Sequence, residues 1–72
     1  MTTYKVRLNS IEKVKEFVQI LSKEDGRFEF KAGKYVVDAK SIMGIFSLDL
    51  TRDLELQGDK ELPAEKYAAF MV

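Results

Sequence analysis

Apolar and polar residues alternate at the start of the chain, where Tyr4, Val6 and Leu8 interleave with Lys5, Arg7 and Asn9. A period of two is that of a strand with one buried face. The period then lengthens. Ile11, Val14, Phe17, Val18 and Leu21 recur at spacings of three and four, which gathers them on one side of a helix. Asn9 stands as its N-cap, with Glu12 three residues on to complete a capping box. Gly26, after Lys23-Glu24-Asp25, is placed to end it. Alternation returns over Arg27-Phe28-Glu29-Phe30-Lys31. Ala32-Gly33-Lys34 supplies a turn and Tyr35-Val36-Val37 a second strand, together a β-hairpin.

The next stretch, Lys40 to Leu48, is dense in apolar residues and has Ser41 in position to cap a helix of two or three turns. Gly44 inside it weakens that helix by about 1 kcal/mol relative to alanine. Leu54-Glu55-Leu56-Gln57 alternates as a last strand. Pro63 suits the first turn of a final helix that carries Tyr67, Phe70 and Met71 on one face. The order β-α-β-β-α-β-α predicts an α+β domain in which helices cover one face of an antiparallel four-stranded sheet, an open-faced two-layer sandwich.

Length and composition narrow the means of holding such a fold. The chain has 72 residues, one domain over 1–72, with neither cysteine nor histidine. A domain of this size buries only about 60% of its unfolded surface, and small domains often add disulfides or a metal. Without those residue types the apolar 46% must supply the stability. Twelve basic and twelve acidic residues are scattered rather than blocked, so no basic stripe for nucleic acid is expected. No apolar run approaches the roughly 20 residues of a membrane span. Met1-Thr2-Thr3 leads directly into alternation, so no signal peptide is expected either, and the expected location is the cytoplasm.

Composition also closes most routes to catalysis. His- and Cys-based nucleophiles and ordinary metal sites are excluded, and no phosphate-cradling glycine loop is present. The expectation is a protein that is not an enzyme and needs no cofactor or metal. The pair Glu24-Asp25 reads as exposed acids that solubilise a helix end. Ser41 reads either as a plain N-cap or as a phosphorylation site, because a phosphate there would meet free N–H groups and the positive end of the helix dipole. Ile42, Met43, Ile45 and Phe46 cannot all face inward, since successive helical residues are about 100° apart. With Ile45 and Leu48 inward, Ile42, Met43 and Phe46 form a partly exposed apolar patch suited to protein docking, or a short helix buried on most sides.

The run Lys40-Ser41-Ile42-Met43-Gly44-Ile45-Phe46-Ser47-Leu48 resembles the regulatory-serine helix of the HPr family, the histidine-containing phosphocarriers of the bacterial sugar phosphotransferase system. The Gly33-Lys34 turn and the element order resemble that family too, which implies an HPr-like sandwich. In that family a histidine at the start of the first helix carries phosphate, followed by an arginine and a proline. Aligning Phe17-Val18 with the matching pair puts Ser10 at the histidine position, Glu12 at the arginine and Lys13 at the proline. A serine ester is far more inert than a phosphoramidate, and Glu12 would repel a phosphoryl group, so transfer is not inherited. The resemblance implies a different role at Ser41. In Gram-positive relatives the matching serine is phosphorylated by a dedicated kinase, and the modified protein binds a transcriptional repressor of carbon catabolism. The family also has a member that lacks the histidine and keeps the serine.

The expected function is therefore that of a regulatory or adaptor protein without phosphotransfer, linked to sugar-transport regulation. It would contact proteins, among them an HPr serine kinase and a transcriptional regulator, through Lys40, Ile42, Met43 and Phe46, with Ser41 as the modified residue. The alternative is a small RNA-binding module that stacks bases on Phe28, Phe30 and Tyr35. The neutral net charge makes nucleic acid the less favoured partner. A third reading, a diverged carrier that works in sugar transport through another residue, is the weakest.

Overall fold

Four strands and three helices follow one another along residues 2–72, the residues described by the computed structural model. They are β1 (Thr2–Val6), α1 (Ile11–Leu21), β2 (Phe28–Ala32), β3 (Tyr35–Asp38), α2 (Ile42–Phe46), β4 (Leu54–Gly58) and α3 (Ala64–Tyr67). Met1, part of the leader reading, lies outside the described residues. The strands form one open antiparallel sheet in the order β1-β4-β2-β3. Register assigns the two faces. Val6, Phe28, Phe30, Leu54 and Leu56 are buried on one side, while Lys5, Glu55, Lys31 and Val36 form a row on the other. The helices supply the cover: Val14, Phe17, Val18 and Leu21 of α1 and Ile45 of α2 are buried with those strand residues in one cluster.

Several boundaries differ from the sequence reading, each for a local reason. The cap of α1 is Ser10, not Asn9: its hydroxyl oxygen accepts the Lys13 N–H at 3.2 Å from an extended backbone. The third helical residue is then Lys13, so no capping box with Glu12 forms, and Glu12 contributes only a first-turn negative charge. Ile11 is the first residue of the helix and is 59% exposed, so the buried stripe begins at Val14. The helix ends at Leu21 rather than running to Gly26. Ser22, Lys23 and Glu24 close it by donating N–H bonds to the carbonyls of Val18, Ile20 and Leu21. Gly26, at φ +104, instead belongs to the loop entering β2, where a side chain would strike the Asp59 carboxylate. That carboxylate accepts the Arg27 N–H at 3.1 Å.

The hairpin turns on Gly33 and Lys34, with Ala32 paired to Tyr35. Gly33 has φ +61 and Lys34 does not share a positive φ, the pattern of a two-residue turn with glycine in its first central position. The last helix is a single turn, 64–67, begun by Pro63 as its N-cap residue. Phe70 and Met71 lie beyond it, so the three-residue face expected there does not form on one helix. Phe70 is buried, and Met71 bridges to Val6. The Tyr4 hydroxyl accepts the Leu62 N–H at 2.9 Å, tying β1 to the segment before α3.

Phe17 joins the layers. Its ring lies 5.4 Å from Phe30, 5.8 Å from Tyr67 and 5.4 Å from Phe70, the last two edge-on. Tyr67 is fully buried, and its hydroxyl has no hydrogen-bond partner among the described residues. Burial first, and then the nearby Glu24 carboxylate, pushes its phenol up to about 12. In the unfolded chain the phenol ionises near pH 10, so the folded state holds this proton more tightly. Stability is untouched below that pH and falls as pH rises from about 10 to about 12. Tyr67→Phe is expected to keep neutral-pH stability or raise it by about 1 kcal/mol, some 4–8 °C in Tm. It should also flatten the loss between pH 10 and 12. Thermal melts of both proteins across that range check this; a large fall in Tm at pH 7 for the variant would contradict it.

Candidate functional site

The chain reverses after β3 through a turn built by Asp38. Its carboxylate accepts the Lys40 N–H at 2.9 Å, and its carbonyl accepts the Ser41 N–H at 3.1 Å. Ala39, fully buried, fastens the turn by donating its N–H to the Phe28 carbonyl at 3.0 Å. Helix α2 then begins at Ile42 with Ser41 as N-cap, the Ser41 hydroxyl oxygen accepting the Gly44 N–H at 3.1 Å. The helix is five residues, shorter than the two or three turns expected. Bonds from the Ser47 and Leu48 N–H groups to the carbonyls of Gly44 and Ile45 tighten its end. Gly44 sits where α2 approaches the sheet. A Cβ there would lie 3.3 Å from Ser41 Oγ, a tight contact, and 3.4 Å from Val37 Cβ, an ordinary van der Waals distance, so α2 meets β3 closely at this position.

A helix this short divides its residues sharply. Ile45 is fully buried and Leu48, just past the end, nearly so. Met43 is 81% exposed, with Phe46 at 39% and Ile42 at 37%. Three apolar side chains thus reach solvent from little more than one turn of helix. Ser41 is half-buried at its start. No acidic residue occupies the first turn of α2.

Lys40 does not belong to that surface. Its ammonium donates to the carbonyl oxygens of Glu24, at 2.6 Å, and Gly26, at 3.2 Å, and lies 5.7 Å from the centre of the Phe28 ring. It pins the loop after α1 to the start of α2, so its ammonium is engaged with backbone carbonyls rather than offered to a partner as expected. Ser10 stands at the start of α1 as its cap and shares no hydrogen bond with Ser41. Glu24 is not a freely solvated acid either. Its side chain is only 15% exposed and lies 3.7 Å from the Lys60 ammonium.

The sheet offers no stacking platform of the expected kind. Phe28 and Phe30 are buried under the helices, and only Tyr35 of that trio is exposed. The reason is parity: Phe28, Phe30 and Tyr35 share the face that the helices cover, and Tyr35 escapes only because β3 is at the edge. The open face carries Lys5, Glu29, Lys31 and Glu55, a mixture of signs. A hollow of about 750 Å³ lies at the hairpin end between Lys31, Tyr35, Asp49 and Arg52 and includes no residue of α2. Among the described residues no group of three or more carboxylates is placed to hold a metal ion, and no helix is long and apolar enough to cross a membrane. No protein-family model matches the chain, and no curated protein matches it.

The cap at Ser41 is open to direct measurement. Ser41→Ala removes the acceptor of the Gly44 N–H and is expected to lower stability by about 1 kcal/mol, some 4–8 °C in Tm. Ser41→Asp restores an acceptor at a helix start and should recover most of that loss. Equal melting temperatures for all three proteins would show that the cap contributes nothing.

Proposed function

We propose that this chain is an HPr-like regulatory or adaptor protein without phosphotransfer, one that binds other proteins through the exposed side of α2 and is modified at Ser41. The single observation that carries the reading is the exposure of Met43, flanked by partly exposed Ile42 and Phe46. An apolar group of this kind next to a half-buried serine offers contact area and a means of altering it. The element order β-α-β-β-α-β-α and the Ser41 cap support the HPr-like assignment. Ser10 at the histidine position supports the absence of transfer, since its oxygen is committed to capping α1.

Phosphorylation would proceed by loss of the Ser41 hydroxyl proton to a base of the kinase and attack of the oxygen on the γ-phosphorus of ATP, with ADP leaving. The added oxygens meet the N–H groups at the start of α2, where the dipole contributes about 0.3–1 kcal/mol. Lys40 contributes little, because its ammonium is held by two backbone carbonyls. The new charge stands at the margin of the apolar patch and changes which partner it fits.

Two measurements test this. Treatment with an HPr serine kinase and ATP should add one phosphate at Ser41 by mass spectrometry, with the far-UV circular dichroism of the folded domain retained. An unmodified Ser41, in a tube where a genuine HPr is modified, would remove the regulatory reading. Separately, immobilised Met43→Lys should lose the proteins that wild-type bait retains from a lysate of the source cell, while its Tm moves by no more than about 2 °C, as surface changes do. A large drop in Tm would instead make Met43 a core residue.

A further inference from the structure

The sheet has two edges, and they are finished differently. Along β1 the outer side is occupied: Arg7 donates its N–H to the Phe70 carbonyl at 2.8 Å, Val72 donates to the Lys5 carbonyl at 3.0 Å, and Met71 bridges Val6. Along β3 nothing comparable is present among the described residues. The ladder fixes which of its groups are free. Tyr35 and Val37 pair with Ala32 and Phe30, and the next pair in step, Ala39 with Phe28, is hydrogen-bonded through the Ala39 N–H. Bonded and non-bonded pairs alternate in an antiparallel ladder, so Tyr35, Val37 and Ala39 turn their backbone groups toward β2. Val36 therefore turns its N–H and C=O away from the sheet, and its side chain is 52% exposed.

An unpaired edge with exposed Tyr35 and Val36 is a template for another strand, and the charges around it select which strand. Lys34, Tyr35, Val36, Val37, Asp38 reads as basic, apolar, apolar, apolar, acidic. Laid antiparallel against a copy of itself about Val36, it sets Lys34 opposite Asp38 at both ends, Tyr35 opposite Val37, and Val36 opposite Val36. Asp38 has reason to accept such a partner. Within the chain it sits across from Glu29, a like charge, and neither Asp38, Glu29 nor Lys34 belongs to an ion pair among the described residues. In the row on the open face, Lys5–Glu55–Lys31–Val36 would continue as its own mirror, with the two valines meeting at the centre.

We propose that the β3 edge binds a second copy of this chain, forming a two-fold symmetric dimer with a continuous eight-stranded sheet centred on Val36. The interface is isologous: each Lys34–Asp38 contact occurs twice, and the Val36 N–H of each copy donates to the Val36 carbonyl of the other. Helix α2 packs against β3 and so flanks the seam on the covered side of the sheet. The proposal does not depend on the adaptor reading or on Ser41.

Sedimentation equilibrium with concentration raised toward about 1 mM, the weak end of specific association, tests it together with amide exchange at Val36. The wild type should move from one chain toward two, and exchange at Val36 should slow in the same range. Lys34→Glu alone should stay monomeric, since a carboxylate would then face Asp38 at both ends of the seam. Asp38→Lys alone should also stay monomeric, and an equimolar mixture of the two should dimerise, because both charged contacts in the mixed pair, Glu with Lys and Asp38 with Lys34, are then between opposite charges. If Asp38→Lys does not fold, the wild type, Lys34→Glu and the Val36 amide still decide the matter. A wild type that remains monomeric throughout overturns the proposal. So does a Lys34→Glu protein that associates as readily as wild type, or a Val36 amide protected only when a foreign extended peptide is added.

Discussion

Phe17 makes the contact on which the two layers depend. It projects from the middle of α1 onto Phe30 of the sheet and takes Tyr67 and Phe70 edge-on from the other end of the chain. A fold without disulfide, with no metal ligand of the usual kind and with few long helices has little else to bind α1, the sheet and α3 at one point. Removing a ring of this kind from a core typically costs about 3–5 kcal/mol, against a total stability that for small domains is about 5–15 kcal/mol. The Tyr67 hydroxyl is the opposing term at that junction: an aromatic of that size fills the gap beside Phe17, and its oxygen goes in with no hydrogen-bond partner among the described residues. Packing outweighs one unsatisfied polar atom there.

Much of this arrangement is legible in the pattern of the chain, because alternation and helical spacing report directly on which residues face the core. Val14, Phe17, Val18 and Leu21 are buried as a helical stripe, and Leu54 and Leu56 as one face of a strand. The differences cluster at ends, where periodicity carries no information. Asn9 and Ser10 are both competent caps, and the choice depends on where the chain leaves β1. Glycine after a charged run looks like a helix stop, yet α1 closes well before it on its own backbone bonds, and Gly26 serves the approach of Asp59. Tyr67, Phe70 and Met71 have helical spacing, but only one turn forms before the chain runs alongside β1.

The candidate site is legible in one respect and hidden in another. Angular spacing tells that Ile42, Met43, Ile45 and Phe46 cannot all face inward, but on so short a helix it leaves open how much is exposed; the structure buries Ile45 and turns Met43 out. The role of Lys40 cannot be read from its place beside Ser41. A lysine next to a serine suggests a charge waiting for an anion, but a four-carbon stem reaches well past its neighbours. Here it ends on the carbonyls of Glu24 and Gly26, residues 16 and 14 positions away in sequence. The same limit applies to the aromatic strands. Their alternation gives the spacing of Phe28 and Phe30 but not which face receives the helices, and it is the buried one.

Sheet order is the level at which local pattern falls silent altogether. Each strand has its own alternation, and nothing in Tyr35-Val36-Val37 distinguishes an edge from a centre. With β4 inserted between β1 and β2, β3 is left outermost, and the consequences spread from that one placement. Tyr35, on the face the helices cover, becomes solvent-facing, and Val36, on the open face, keeps its backbone groups unpaired among the described residues. Asp38 is left across from Glu29 with no strand on its other side. Helix α2 packs against the same strand, with Gly44 at the approach to Val37. The opposite edge is lined by residues 70–72, which occupy the outer side of β1. The order of strands, a property of the whole sheet and of no single segment, thus decides which edge keeps its backbone groups unpaired and which aromatic of the covered face, Tyr35, the helices fail to cover.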